Sequence, residues 1–108
     1  MVVAIKRYEI YLVKLNPTVG SEIQKTRPCI VVSPNEMNVL KTVIIAPMTS
    51  KGFDFIFRPK IKFEKKEGLV LLDQIRTVDK TRLVKKLGDI DEVTSKEISK
   101  MLVNMFEL

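Results

Sequence analysis

The sequence predicts a mainly β protein, either a small β-barrel or a strongly curved sheet, with a C-terminal α-helix packed on it. About six short segments rich in β-branched and aromatic residues are separated by turn residues. The last segment changes from a period of two to a helical period. The length of 108 residues suits one domain over residues 1–108, and the 45% apolar content can supply its core.

Three strands are expected in the first half of the chain. Residues 9–15 form the first, which Asn16-Pro17-Thr18 ends in a turn or long loop. Residues 28–33 are a continuous apolar run bounded by prolines, which predicts a buried strand. Residues 42–48 form the third strand, and a turn over residues 49–52 follows it.

Residues 53–63 alternate between apolar and polar side chains, which predicts a strand with one wet face. The apolar positions of this pattern are Phe55, Phe57, Ile61 and Phe63. Pro59 cannot donate to a strand ladder, so we expect an interruption near it.

A hairpin-type turn over residues 65–68 leads into a core strand predicted over residues 69–75. Residues 77–82 are polar and are expected to connect it to a weaker strand over residues 83–87. The sequence contains no internal repeat and no low-complexity tract.

The C-terminal segment is predicted to be an amphipathic helix. Thr94 and Glu97 have the spacing of a capping box, with Val93 and Ile98 placed as its hydrophobic staple. Apolar residues then recur at the spacing i, i+3, i+4, i+7, at Ile98, Met101, Leu102 and Met105.

The formal net charge of +6 and the pI of about 9.6 favour a polyanionic partner: RNA, DNA, an anionic membrane surface or an acidic protein. The chain has no histidine, which excludes a histidine general base, Ser-His and Cys-His dyads, and a histidine-containing zinc site. No cluster of side chains suits a divalent metal, and no cofactor is implied.

The single cysteine, Cys29, allows no intrachain disulfide, and a reducing compartment is the simple interpretation. Residues 1–8 lack the features of a signal peptide. No apolar run approaches the ~18 residues that a membrane span requires. We therefore expect a cytoplasmic protein that does not insert into a membrane.

Three sequence blocks carry a resemblance to a known family. They are Asn16-Pro17-Thr18-x-Gly20-Ser21-Glu22 with Lys25-Thr26-Arg27-Pro28, then Ala46-Pro47-Met48-Thr49-Ser50, then Gly68-Leu69-x3-Asp73-Gln74-Ile75-Arg76-Thr77-Val78-Asp79. In order and spacing these blocks resemble the MazF/PemK (Kid) toxins. The resemblance implies an SH3-like barrel, a homodimer, and a ribosome-independent, sequence-specific endoribonuclease that cuts single-stranded mRNA. It also implies a cognate antitoxin whose acidic segment occupies the RNA groove.

Elementary chemistry is compatible with that activity, because RNA carries its own nucleophile. The 2′-hydroxyl can attack the adjacent phosphate in line, which leaves a cyclic phosphate and a 5′-hydroxyl. The enzyme must supply a base, an acid, and cations or donors for the charged transition state. None of these tasks requires a metal ion.

Arg27 and Thr49 are the first candidates for catalysis. A guanidinium binds phosphate bidentately and stays charged, which suits stabilisation of the developing charge. A threonine hydroxyl can donate to a phosphate oxygen, although it can also cap its own turn. The resemblance implies that both lie in the active site. The catalytic arginine of the Kid branch is replaced by Leu71, and the histidine of that branch is absent, so the MazF branch is the better template.

Glu22 and Asp73 are the two candidates for the general base, and the sequence does not decide between them. Glu22 is also compatible with a solvated charge, and Asp73 with a carboxylate bonded to a turn. Further residues are predicted to bind RNA through phosphates, base edges or stacking: Lys25, Ser50, Lys51, Phe53, Arg58, Gln74, Arg76 and Lys80.

Two other functions remain open at this point. A toxin of the same fold that poisons gyrase, like CcdB, would use a C-terminal motif with a tryptophan, and this chain has no tryptophan. A basic barrel that binds RNA without cutting it would show salt-sensitive binding and return the RNA intact.

Overall fold

The structure, a computed structural model, describes residues 4–108, so the prediction about residues 1–8 falls partly on residues 1–3, outside the described part. Within it the chain forms a seven-stranded, curled sheet and one C-terminal helix. The elements are β1 (Glu9–Lys14), β2 (Thr26–Val31), β3 (Thr42–Thr49), β4 (Lys60–Phe63), β5 (Lys66–Val70), β6 (Arg76–Asp79), β7 (Leu83–Asp89) and α1 (Glu92–Phe106). The predicted fold class is confirmed.

Strand β3 is the centre of the sheet. The strand order is β4-β5-β3-β2-β1-β7, all pairs are antiparallel, and β6 also pairs with β3. On one edge β3 pairs with β2, and its other edge is shared by β6 and β5 in succession. One strand thus has different neighbours at its two ends, and the sheet curls around it.

Both faces of the sheet are buried, which explains the continuous apolar run in β2. Ile30 belongs to a core cluster that lies under the helix, whereas Cys29 and Val31 belong to a cluster on the opposite face. Alternate residues of a strand point to opposite faces, so each face takes every second residue of the run. The prediction of a buried strand is confirmed, with β2 starting two residues earlier than expected.

The helix packs as predicted but begins earlier. Ile98 is fully buried, and Met101, Leu102 and Met105 pack against the same cluster. The predicted capping box and staple are wrong: the Oδ1 of Asp91 accepts from the backbone N–H of Thr94 at 2.6 Å, and Val93 is 78% exposed. A carboxylate at the N-cap also interacts favourably with the helix dipole, so Asp91 starts the helix three residues before Thr94.

The predicted strand over residues 53–63 is wrong in its first half, because only Lys60–Phe63 pairs with a neighbour. The residues before Pro59 form a loop, so the alternation of apolar and polar side chains there does not correspond to a paired strand. The hairpin turn lies at Glu64 and Lys65, whose φ values of 51° and 64° suit a two-residue hairpin, and β5 starts at Lys66.

The predicted strand over residues 69–75 ends at Val70, and a 3₁₀ turn over Leu72–Gln74 follows. The next strand, β6, was not predicted, because Val78 is its single buried residue and gives no periodic signal. The weak strand β7 is confirmed and is longer than expected. The one long helix of residues 4–108 is too short and too polar to cross a membrane.

Candidate active site

A cleft of about 330 Å³ opens where β2 and β3 leave the sheet beside the β4–β5 hairpin. Its polar lining includes Arg27, Thr49, Ser50, Glu64 and Glu67. This cavity is called the cleft below.

The antiparallel register of β2 and β3 brings Arg27 and Thr49 together. Cys29 pairs with Pro47, so the same register continued two residues outward sets Arg27 opposite Thr49. Both residues lie at the ends of their strands and line the cleft. Two residues that are far apart in sequence therefore meet on a rigid base.

One hydrogen bond orients the guanidinium of Arg27 and leaves its other donors available. Its Nε donates to the backbone carbonyl of Gln24 at 3.1 Å, and the side chain is half-buried. Its two terminal nitrogens have no hydrogen-bond partner among residues 4–108. That pair of donors forms the fork that matches two oxygens of a phosphate.

The hydroxyl of Thr49 has one partner and keeps its own proton available. Its Oγ1 accepts from the backbone N–H of Lys51 at 3.1 Å. The turn-capping role considered for this residue is therefore present, but it uses the oxygen as an acceptor only. The hydroxyl hydrogen is free to donate to a ligand.

Gly68 of β5 closes the wall behind Thr49. A Cβ atom on Gly68 would lie 2.6 Å from the carbonyl oxygen of Thr49, which is too close for any side chain, so this position requires glycine. Close backbone packing thus fixes the position of Thr49. A glycine inside a strand was the signal from which this approach could have been predicted.

Glu22 and Asp73 do not line the cleft. They lie with Ser21, Gln74 and Arg76 along a separate groove of about 420 Å³, called the loop groove below. One carboxylate oxygen of Glu22 accepts from the backbone N–H of Val19 at 2.7 Å. The structure therefore separates the two predicted bases from the predicted Arg27–Thr49 pair.

Asp73 is bound by Arg58 in a bidentate ion pair, with Nε–Oδ1 and Nη2–Oδ2 distances of 2.9 and 2.8 Å. The hydrogen bonds from Arg58 hold the pKa of Asp73 below its ordinary value, and those to Asp73 raise the pKa of Arg58. A carboxylate with both oxygens engaged and a lowered pKa is a weak proton acceptor. This geometry is unfavourable to Asp73 as the base.

Three of the predicted RNA ligands form hydrogen bonds to backbone groups of this chain. The Oε1 of Gln74 accepts from the N–H of Ile23 at 2.7 Å, and an Nη1 of Arg76 donates to the carbonyl of Leu15 at 3.0 Å. Lys80 donates to the carbonyl of Asn38. These contacts anchor the loop between β1 and β2 and the segment before β3.

Four of the other predicted ligands are available to a partner, whereas Arg58 is held by Asp73. Ser50 lines the cleft and also an adjoining cavity, which Lys51 lines too. Lys25 is exposed in the left-handed region, at φ 72°. Phe53 is 67% exposed.

Two carboxylates of the cleft were not predicted, Glu64 and Glu67 of the β4–β5 hairpin. The sequence placed them at a turn but contained nothing to bring that turn beside Arg27. Across residues 4–108, no group of three or more histidine, cysteine, aspartate or glutamate side chains is arranged to hold a metal ion.

Structural comparison relates the fold to that of MazF proteins. The crystal structure of MazF from Deinococcus radiodurans aligns with a TM-score of 0.85 at 22% identity, covering 98% of this chain and 99% of that one. A mycobacterial endoribonuclease in complex with its cognate antitoxin aligns with a TM-score of 0.81 at 22% identity, covering 97% of each chain. At this identity the likeness shows a shared fold.

Sequence comparison gives the family. The family model of PemK-like, MazF-like toxins of type II toxin-antitoxin systems matches residues 6–106. The Endoribonuclease MazF of Staphylococcus saprophyticus is 33% identical in an alignment of 101 residues that covers 87% of this chain and 84% of that protein. The chain therefore belongs to the PemK-like, MazF-like toxin family, and the resemblance found in its sequence blocks is confirmed.

Proposed function

We propose that this chain is the toxin of a type II toxin-antitoxin system and acts as an endoribonuclease on single-stranded RNA. The observation that carries the proposal is the cleft in which Arg27 and Thr49 meet. Its support from relatives is the endoribonuclease of Staphylococcus saprophyticus, with which the chain shares a third of its residues.

The proposed reaction is attack of a 2′-hydroxyl on the adjacent phosphate, in which the bond from the 2′-oxygen to phosphorus forms and the bond to the 5′-oxygen breaks, leaving a cyclic phosphate. The 2′-hydroxyl proton passes to a general base, and the departing 5′-oxygen takes up a proton from solvent to become a 5′-hydroxyl. Arg27 binds two phosphate oxygens and stabilises the charge that develops on them. Thr49 donates its free hydroxyl hydrogen to the same phosphate. Every step uses side chains, RNA groups and solvent, so the reaction proceeds without a metal ion.

The general base is proposed to be a carboxylate, and three carboxylates are candidates for the role. Glu22 is the candidate from the sequence, whereas Glu64 and Glu67 share the cleft with Arg27. Single glutamine substitutions separate them: loss of the base should lower the rate by ~10²–10⁴-fold and remove the acidic limb of the pH–rate profile. The same substitution at a bystander should leave that limb in place.

We also propose a homodimer, a cognate acidic antitoxin and a cytoplasmic location. The helix α1 exposes Val93, Val103 and Phe106, which a second subunit could cover. The net charge of +6 suits an acidic antitoxin segment as well as RNA. A messenger RNA substrate places the toxin in the cytoplasm.

The test is incubation with a mixed-sequence single-stranded RNA in excess EDTA, followed by mapping of the RNA ends. We expect cuts at a defined sequence, with a cyclic phosphate on one side and a 5′-hydroxyl on the other. Arg27→Ala should return intact RNA while keeping the wild-type unfolding midpoint. Recovery of intact RNA with the wild-type protein, together with salt-sensitive binding, would favour the non-catalytic RNA-binding function.

A further inference from the structure

The loop between β3 and β4 exposes two neighbouring aromatic rings. Phe53 is 67% exposed and Phe55 is 53% exposed. Their centroids are 6.3 Å apart and the ring planes meet at 81°, an edge-to-face arrangement. Among residues 4–108, most large apolar side chains lie in or against the two core clusters, so two adjoining aromatic rings outside them form an apolar surface that a ligand can contact.

Arg58 supports both rings from below. Its Cζ lies 4.9 Å from the centroid of Phe53 and 5.9 Å from that of Phe55, within the range of cation–π attraction. Asp73 grips the same guanidinium through two hydrogen bonds, and the Arg58 side chain is only 13% exposed. A cation so fully engaged is a poor phosphate ligand, which is unfavourable to the role predicted for Arg58.

The rings lie on the loop that leaves the cleft. Phe53 follows Thr49 by four residues, a span of at most about 14 Å. The cavity that adjoins the cleft shares Ser50 with it and is lined by three lysines and three carboxylates: Lys51, Lys60, Lys62, Asp54, Glu67 and Asp91. Lys60 lies 3.9 Å from Asp54, whereas Lys51 is exposed between Ser50 and Phe53. Lys51 is therefore the cation best placed to contact a phosphate between the cleft and the rings.

We propose that Phe53, with Phe55 packed perpendicular against it, forms a stacking platform for an unpaired base of the bound RNA, and that Arg58, held by Asp73, is the positioning residue of that platform. The identity of the ligand rests on the proposed function. Unpaired bases are characteristically bound on aromatic faces beside a cation that contacts the backbone, and this loop offers both in Phe53 and Lys51. Asp73 thereby has a role in base binding instead of proton transfer.

The test measures binding without cleavage. The probe is a fluorescein-labelled, mixed-sequence single-stranded RNA with 2′-O-methyl groups throughout, which lacks the attacking hydroxyl, and affinity is followed by fluorescence anisotropy. Phe53→Ala should weaken binding by about tenfold or more, and Phe53→Trp should retain it. Ile56→Ala is the matched control, because Ile56 lies on the same loop, is 69% exposed and carries no ring.

The salt dependence separates the positioning role of Arg58 from a phosphate contact. Arg58→Met should weaken binding about as much as Phe53→Ala and leave the slope of log affinity against log salt unchanged. Loss of a phosphate contact would instead reduce that slope by about one. The double variant Phe53→Ala with Arg58→Met should bind the RNA only slightly more weakly than either single variant, because each substitution removes the same platform.

The platform is overturned if Phe53→Ala and Ile56→Ala bind alike, if Phe53→Leu keeps full affinity, or if the wild-type protein fails to bind the methylated RNA. An aromatic loop that serves a protein partner instead would give the first of these results. Failure of the proposed cleavage is distinguishable, because it would appear as intact unmethylated RNA with the binding differences preserved.

Discussion

The cleft and the loop groove contain similar side chains and differ in what those side chains contact. In the cleft, Arg27 keeps both terminal nitrogens without a partner among residues 4–108, and Thr49 keeps its hydroxyl hydrogen. In the loop groove, Gln74 and Arg76 bond to backbone groups, and Asp73 bonds to a guanidinium. The polar groups of the cleft are available to a ligand, whereas those of the groove bond within the protein.

Whether a polar group already has a hydrogen-bond partner within the protein distinguishes a candidate functional residue from a structural one, and residue type alone does not. A polar group without an intramolecular partner costs little at an open cleft and gains when a charged ligand arrives. A polar group that satisfies a half-buried N–H or carbonyl is costly to remove whether or not a ligand exists. We therefore expect cleft substitutions to change the rate, and groove substitutions to change the stability.

The largest effect should come from Arg27→Ala. Loss of a preorganised donor to the transition state should lower kcat by ~10²–10³-fold or more, with an unchanged free energy of unfolding. Arg76→Ala is the matched arginine of the loop groove and should lower the unfolding free energy more than the rate. Cleavage of a labelled oligonucleotide and urea unfolding provide the two measurements. Equal rate losses in both variants would remove the distinction between the two regions.

Gly68→Ala should produce the next largest effect, through the position of Thr49. The added Cβ meets the Thr49 carbonyl oxygen at 2.6 Å, and both groups belong to paired backbone, so Thr49 must move. A displacement of about 1 Å at a reacting group can cost ~10²-fold in rate. Full activity in Gly68→Ala would show that Thr49 needs no fixed position.

Gln74→Ala should act on stability, since it leaves the N–H of Ile23 without its partner. The expected loss is ~1–3 kcal/mol of unfolding free energy, with faster hydrogen exchange at the Ile23 amide. Gln74→Glu keeps an acceptor oxygen and should restore most of the protection. If Gln74→Ala instead weakens RNA binding at unchanged stability, the predicted RNA-binding role is the correct one.

Asp73→Asn should have the smallest effect on the rate near neutral pH, far below the ~10²–10⁴-fold loss that follows removal of a general base. Its effect should appear in the pH dependence of stability. Because Arg58 lowers the pKa of Asp73, the pair stabilises the fold above the unfolded-state pKa of this carboxyl and loses that contribution as pH falls through the folded-state value. The wild-type unfolding free energy should therefore fall more steeply in acid than that of Asp73→Asn. Parallel curves would show that the ion pair contributes nothing.

The helix and the buried strands were predictable because their signals are local. The spacing of Ile98, Met101 and Leu102 marks one face of a helix wherever that helix packs, and the run in β2 marks burial on both faces. The start of the helix was misplaced because Asp91 and Thr94 both suit a cap. The loop before Pro59 was mistaken for strand because alternation in sequence does not require a neighbouring strand.

The sequence by itself determined the family and the mainly β class and made Arg27 and Thr49 the first catalytic candidates, because motif blocks and periodicity are properties of residue order. Only the tertiary structure decided which polar groups remain available. The β2–β3 register joins Arg27 to Thr49, the hairpin brings Glu64 and Glu67 to the same cleft, and Arg58 occupies Asp73. These outcomes depend on contacts between distant residues, which residue order along the chain does not express.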